Sequence, residues 1–298
     1  MPAVEVNSIV KSYNDRRVVD DISFMVDQGE IFGLIGPNGA GKTTTIRMMM
    51  DITKPDSGKV EILGESMSED IKNRIGYLPE ERGLYRKLKV VESVVYLASL
   101  KGMDSQLAAR RADELLARVD MLPHKGKKIE ELSRGMGQII QFLVTIIHEP
   151  QLVVLDEPFA GLDPVNAELL RQMIFELRNR GTAIILSTHR MNEVEELCDR
   201  ILMIDDGRCV LYGGLVEIKS RYRNNSIFLE SEGDVSEIKG VIGRRENRGY
   251  VELFLDGETS PGKVLQQLIA RGVSIDRFEV STPSLNEIFL QIVGEEHE

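Results

Sequence analysis

Gly36-Pro37-Asn38-Gly39-Ala40-Gly41-Lys42-Thr43 fits the pattern G-x-x-x-x-G-K-[ST]. Glycines at these places let the backbone curl until successive N–H groups point at phosphate oxygens. Lys42 is placed to reach β- and γ-phosphates, and the Thr43 hydroxyl to ligate Mg²⁺. Asn38, Gly39, Ala40, Gly41 and Thr44 complete the cradle, and a helix starting near Gly41 adds its positive end. The ligand this chemistry predicts is ATP with Mg²⁺. A second constellation, Leu152-Val153-Val154-Leu155-Asp156-Glu157, is an apolar strand ending in two carboxylates. Asp156 suits a hold on Mg²⁺, and Glu157 suits a general base that takes a proton from an attacking water. An acidic pair after a strand is common. Its occurrence after a phosphate loop, with a helical segment between, is far more specific.

The elements around these residues have to deliver them to one place. Ile31–Ile35 reads as a buried strand running into the glycine loop and then a helix, the layout of an α/β nucleotide fold. Val4–Ile9 and Ile22–Val26 read as short strands on either side of a turn at Tyr13, Asn14 and Asp15. Lys89–His148 is mostly helical in pattern. Leu152–Leu155, Ala183–Leu186 and Ile201–Ile204 are further strands, with helices at Val165–Asn179 and around Val194 and Leu197. Alternation of this kind predicts a mostly parallel sheet covered on both faces. Met48, Met49 and Met50 on the loop's helix read as core filler.

At 298 residues the chain has room for two domains. The pattern changes after about Ser220, where a basic, polar stretch, Arg221–Asn225, reads as a linker. Domains are expected at 1–220 and 221–298. Within the second, Ile227–Glu230, Tyr250–Leu255 and Ile275–Val280 are strands. Ser260-Pro261 opens a helix, and Ser284 with Glu287 forms a capping box. With a weak helix near Val235 and a weak strand near Val241, the order is β-α-β-β-α-β and a final helix, a small ferredoxin-like α+β unit. The net charge of −11 disfavours nucleic acid as a partner. Cys198 and Cys209 have neither disulfide nor metal-ligand spacing. The most apolar run, Ile139–Ile147, is too short to span a bilayer, and the N-terminus lacks a signal-peptide layout. These features predict a cytoplasmic chain, or one peripheral on the cytosolic face of the cell membrane.

With these residues in hand, the chain resembles the ATP-binding-cassette (ABC) ATPases over about residues 3–220. Leu132-Ser133-Arg134-Gly135-Met136 looks like the family's LSGGQ signature, Gly161-Leu162-Asp163 like its D-loop, and Ser187-Thr188-His189 like its switch histidine. Tyr13 lies where the family stacks an aromatic ring on adenine. The resemblance implies a P-loop ATPase core with an antiparallel β edge and a helical subdomain at about 89–148. It also implies a homodimer packed head to tail, in which Ser133 and Gly135 contact the γ-phosphate held by the second copy. His189 would bond the γ-phosphate and help fix the lytic water. Since no spanning segment is found, a separate transmembrane permease subunit is expected, docked on the helical subdomain and the segment around Glu80.

Two departures stand out. Glu80 follows Tyr77-Leu78-Pro79 where the family has a glutamine that touches the metal; a carboxylate there binds Mg²⁺ more strongly but adds negative charge. In the signature, Arg134 replaces a glycine and Met136 replaces the glutamine. Glu80 and the tail Ser284-Leu285-Asn286-Glu287-Ile288-Phe289 resemble a subgroup of exporter ATPases that includes the sodium-extrusion type, implying outward transport. A non-transport cassette ATPase acting on nucleic acid or ribosomes stays open, although such chains usually carry two cassettes or a long coiled coil. A nucleotide-binding module without turnover is disfavoured by Glu157 and His189 together.

Overall fold

The computed structural model describes residues 1–81, 83–222, 226–232, 235, 237–247 and 249–296. The chain divides into two compact units, Met1–Leu215 and Val216–Glu298. In the first, β1 (Val4–Tyr13) and β2 (Arg16–Val26) form an antiparallel hairpin. Its two turn residues, Asn14 and Asp15, both have positive φ (46° and 64°), the backbone that a two-residue hairpin turn demands. The strands run further than the sequence pattern suggests, because their outer halves are exposed and lose apolar alternation.

The chain continues through β3 (Ile31–Ile35), α1 (Lys42–Met49), β4 (Ser57–Ile62), α2 (Glu69–Asn73) and β5 (Ile75–Leu78). The helical region follows as α3 (Val90–Ser99), α4 (Ser105–Arg118) and α5 (Arg134–Ile146). Then come β6 (Leu152–Asp156), α6 (Pro164–Asn179), β7 (Ala183–Thr188), α7 (Met191–Leu197), β8 (Arg200–Asp205) and β9 (Arg208–Gly214). β4 joins the hairpin in a three-stranded sheet of order β2-β1-β4, while the main sheet has the order β5-β6-β7-β3-β8-β9. All of its pairings are parallel except that of β9. Every residue of β3, β6 and β7 is buried, so these strands read as unbroken apolar runs. β4, β5 and β9, which the sequence reading did not assign, are short or half-exposed and lack that run.

Register brings the strand ends together. Ile35 lies opposite Thr188, and Asp156 opposite Ser187. The glycine loop after β3, the carboxylates after β6 and the histidine after β7 therefore emerge side by side at the carboxyl edge, where α/β sheets bind ligands. Behind them, Met48, Met49 and Met50 are buried in the core with Ile46, Phe24 and Phe32. The Phe24 and Phe32 rings stack at 5.2 Å.

A short helix, α8 (Leu215–Arg221), contains the division between the units, which falls five residues before the boundary expected after Ser220. Linker residues 223–225 lie outside the described residues. The second unit contains β10 (Ser226–Glu232), β11 (Val241–Asn247), β12 (Tyr250–Leu255), α9 (Pro261–Ala270), β13 (Ser274–Val280) and α10 (Leu285–Glu296). Its sheet is antiparallel, in the order β11-β12-β10-β13. β10 and β11 thus flank β12, the arrangement of a split β-α-β unit. The weak helix expected near Val235 falls mostly outside the described residues; Val235 and Ile238 pack on the sheet core with Val264 and Leu268 of α9. The expected capping box is present: the Ser284 amide donates to Glu287 Oε2 at 2.8 Å, and the Glu287 amide to Ser284 Oγ at 3.2 Å. Among the described residues, no helix is long and apolar enough to cross a membrane.

Candidate active site

The glycine loop is built from backbone that side chains would obstruct. Gly36 has φ 147°, and a Cβ there would lie 2.0 Å from the Ile204 carbonyl oxygen. Gly41, at φ 110°, would place one 2.5 Å from the carbonyl oxygen of Val18. Ala40 anchors the loop from within: its amide donates to Pro37 O at 3.2 Å, and its own carbonyl accepts from Gly207 N at 3.0 Å. Lys42 is buried, and its Nζ donates to Gly36 O (2.8 Å) and Pro37 O (3.0 Å). Burial lowers its pKa from the ordinary lysine value, opposed by the charges of Glu157, Asp156 and Glu80.

A cavity of about 320 Å³ opens over this loop, lined by Asn38, Gly39, Gly41, Lys42, Thr43, Thr44, Glu80, Asp156, Glu157 and Val18. Nine of these ten are sequence-expected site residues; Val18, on β2, is not. Tyr13, Ala40, Ser133, Gly135 and His189 do not line it. Tyr13 is 48% exposed at the hairpin tip, with Lys11 Nζ 5.6 Å from its ring centre. Ser133 caps α5, its Oγ accepting from the Met136 amide at 3.2 Å. Gly135 faces Gly161 and Leu162, where an added Cβ would make ordinary contacts.

Asp156 is buried, and neither of its carboxylate oxygens has a hydrogen-bond partner. Burial raises its pKa; the nearby Ser187 and Thr43 hydroxyls, which fall short of hydrogen-bonding geometry, oppose the rise, and Glu80 and Glu157 add to it. Orphaned buried oxygens facing a threonine hydroxyl fit a divalent cation. Among the described residues no three His, Cys, Asp or Glu side chains form a ready-made cage. The carboxylate beside a threonine hydroxyl is a donor set of the kind Mg²⁺ takes, since that ion keeps waters and uses one or two carboxylates together with phosphate oxygens.

Glu157 adopts φ 50°, a strained backbone for a residue with a side chain. Its Oε1 accepts from the His189 amide (3.1 Å) and from His189 Nδ1 (2.7 Å). A carboxylate only accepts, so Nδ1 carries the proton. The Thr188 hydroxyl lies 3.3 Å from Glu157 Oε2 and 3.0 Å from Oε2 of the buried Glu193, which pairs with Arg190 at 3.1 Å. Sequence reasoning missed Thr188 and Glu193 as supports. The available signal was a carboxylate in the first turn of the helix that follows the histidine.

A family model described as ABC transporter matches residues 19–160, and one described as ATP-binding protein DrrA1-3-like, C-terminal domain, matches residues 213–293. The chain is 39% identical to the uncharacterized ABC transporter ATP-binding protein YhaQ of Bacillus subtilis (strain 168), over 98% of this chain and 99% of that one. This chain belongs to the ABC-transporter ATP-binding proteins. Nod factor export ATP-binding protein I of Rhizobium etli (strain ATCC 51251 / DSM 11541 / JCM 21823 / NBRC 15573 / CFN 42) is 32% identical over 100% of this chain and 95% of its own length. A solved structure, the ATP binding subunit of an ABC transporter, superposes with a TM-score of 0.70 at 31% identity, covering 74% of this chain and 93% of that chain. As an ABC-transporter ATP-binding protein, the chain is an ATPase subunit with a C-terminal accessory domain, and it acts with a partner membrane protein.

Proposed function

We propose that this ABC ATPase hydrolyses ATP with Mg²⁺ between two copies packed head to tail, and so drives outward movement of a solute through a separate permease subunit. The observation that carries the reading is the convergence of Lys42, Thr43, Asp156 and Glu157 on one cavity at the carboxyl edge of the sheet. Lys42 exchanges its two carbonyl partners for β- and γ-phosphate oxygens, while the loop amides from Asn38 to Thr44 cradle the rest. Thr43 and Asp156, with Glu80 beside them, hold Mg²⁺. The ion, when bound, neutralises phosphate charge as it develops. Glu157 takes the proton of the attacking water. Thr188 and His189 fix the orientation of that carboxylate. The His189 ring also contacts the γ-phosphate and helps fix the attacking water.

Ser133 and Gly135 stand outside the cavity at the start of α5, where they suit a second copy's nucleotide. Tyr13 contributes adenine stacking from the hairpin tip. The permease docks on the helical region and the Glu80 loop. Outward direction is supported by the full-length likeness to a protein whose name states export, and by Glu80 with the C-terminal tail, which resemble the sodium-extrusion subgroup.

Replacing Glu157→Gln tests the reaction. Turnover should fall by about 10²–10⁴, the scale of a lost general base, while ATP is still bound and dimers accumulate on gel filtration. Undiminished hydrolysis would remove Glu157 from the mechanism. Reconstitution with a co-purified membrane subunit in vesicles tests direction, through which side of the bilayer the solute leaves.

A further inference from the structure

β5 is an edge strand, and its outward carbonyl groups need partners. Side chains of α5, and of the turn just beyond it, supply them. His148 Nε2 lies 3.1 Å from Ile75 O, which also accepts from Lys101 Nζ at 3.1 Å, and Gln141 Nε2 donates to both Pro79 O and Glu81 O at 3.3 Å; the Thr145 hydroxyl, 3.5 Å from Tyr77 O, donates to Gln141 O at 2.9 Å. Gln141 and Thr145 share one face of α5, carbonyls 75 and 77 follow the two-residue period of β5, and the chain bends at Glu80 and Glu81. The approach is close: a Cβ on Gly76 would sit 2.3 Å from Thr145 O. One turn earlier, Gln138 Nε2 donates to Pro158 O at 3.1 Å, on the residue after Glu157.

Both glutamines are buried, with 5% and 4% exposure for Gln138 and Gln141. Gln141 Oε1 is buried without a partner. Its amide cannot be turned over, since that would set its oxygen against two carbonyl oxygens. An unpaired buried oxygen costs stability, so an apolar side chain of the same size would pack at least as well. What the amide adds is placement of the two carbonyls that flank Glu80. Neither glutamine lines the phosphate cavity.

We propose that Gln141 and Gln138 are positioning residues, which make α5 a splint setting the Glu80 loop and the Glu157 loop against the phosphate site. Gln141 sets Glu80 for the metal and Gln138 sets Glu157 for the water. The inference rests on the roles proposed above for those two carboxylates. Ser133 and Gly135 lie on the same helix, so whatever seats its first turn on a second copy also seats both loops of its own site.

The full-length chain carrying Gln141→Met or Gln138→Met provides the test, read as ATP affinity with and without Mg²⁺ and as steady-state hydrolysis. Gln141→Met should cut the gain in ATP affinity that Mg²⁺ confers by about tenfold, the scale of a lost buried hydrogen-bonding group, with affinity in EDTA unchanged. Gln138→Met should lower kcat about tenfold, as misplacement of a reacting group does, with KM and both affinities unchanged. Damaged packing would move the same quantities in both variants. If a Met variant fails to fold, Gln141→Ala or Gln138→Ala, which leave room for a bridging water, should show the same split at smaller size. Variants that match an active wild type, or that share one pattern, overturn the proposal alone. A wild-type chain with no Mg²⁺-dependent binding or hydrolysis overturns the function and the proposal with it.

Discussion

The glycine loop and the Glu80 loop border the same cavity yet are held in place by different means. The glycine loop is fixed by backbone: positive φ at Gly36, Gly39 and Gly41, and close approaches to Ile204 O and Val18 O that exclude a side chain. The Glu80 loop is fixed by one buried side chain, Gln141, sixty residues along the chain. A backbone-made site leaves no room for a side chain at Gly36 or Gly41. A site held by a side chain can be retuned from a distance.

The comparison breaks most visibly if Gly36 can be replaced. Gly36→Ala should weaken ATP binding by roughly a hundredfold or more, because a Cβ 2.0 Å from Ile204 O forces the loop away from its phosphate-binding curve. Equilibrium binding of a fluorescent nucleotide would show it, and near-normal affinity would mean the loop is not backbone-limited. Glu80→Gln should act more mildly. It removes a charge but keeps an oxygen, so the Mg²⁺ concentration for half-maximal ATP binding should rise about three- to tenfold with little change in metal-free binding. An unchanged Mg²⁺ dependence would take Glu80 off the metal.

The smallest effect sharpens the α5 side of the comparison. Burial lowers the His148 pKa from 6.5 to about 4; the bond to Ile75 opposes the shift and Lys101 adds to it. Between these values the unfolded chain binds more protons than the folded one, so stability falls as pH drops from about 6.5 towards 4 and is fully restored above that range. His148→Gln keeps a donor for Ile75 O but cannot titrate. The urea midpoint of the wild type should therefore fall more steeply between pH 7 and 4.5 than that of the variant. Equal slopes would show that the histidine is not buried neutral.

These differences also explain what was legible in the sequence. β3, β6 and β7 are buried end to end, so their apolar runs announce them, and the motifs after them follow by local spacing. Eight of the ten cavity-lining residues were readable that way, and Glu80 only through the family resemblance. Val18 was not, because a valine in a hairpin strand carries no chemical mark. Gln138, Gln141 and Glu193 act on partners far off in sequence or through Thr188, and no local pattern encodes such a pairing. In the second unit, the strands and capping box were readable from alternation and from Ser284 with Glu287. The weak helix expected near Val235 lies mostly outside the described residues; Val235 and Ile238 pack on the sheet core.

Closure of two copies over nucleotide is the claim on which the rest depends. It can be read by joining Asn38→Cys in one copy to Ser133→Cys in the other. Both variants also carry Glu157→Gln to prevent turnover and Cys209→Ser to remove the exposed thiol. Mixed with Mg²⁺ and ATP, the two chains should form a disulfide-linked heterodimer that is absent without nucleotide. Links between two copies of position 133, or none at all with ATP bound, would contradict a head-to-tail site.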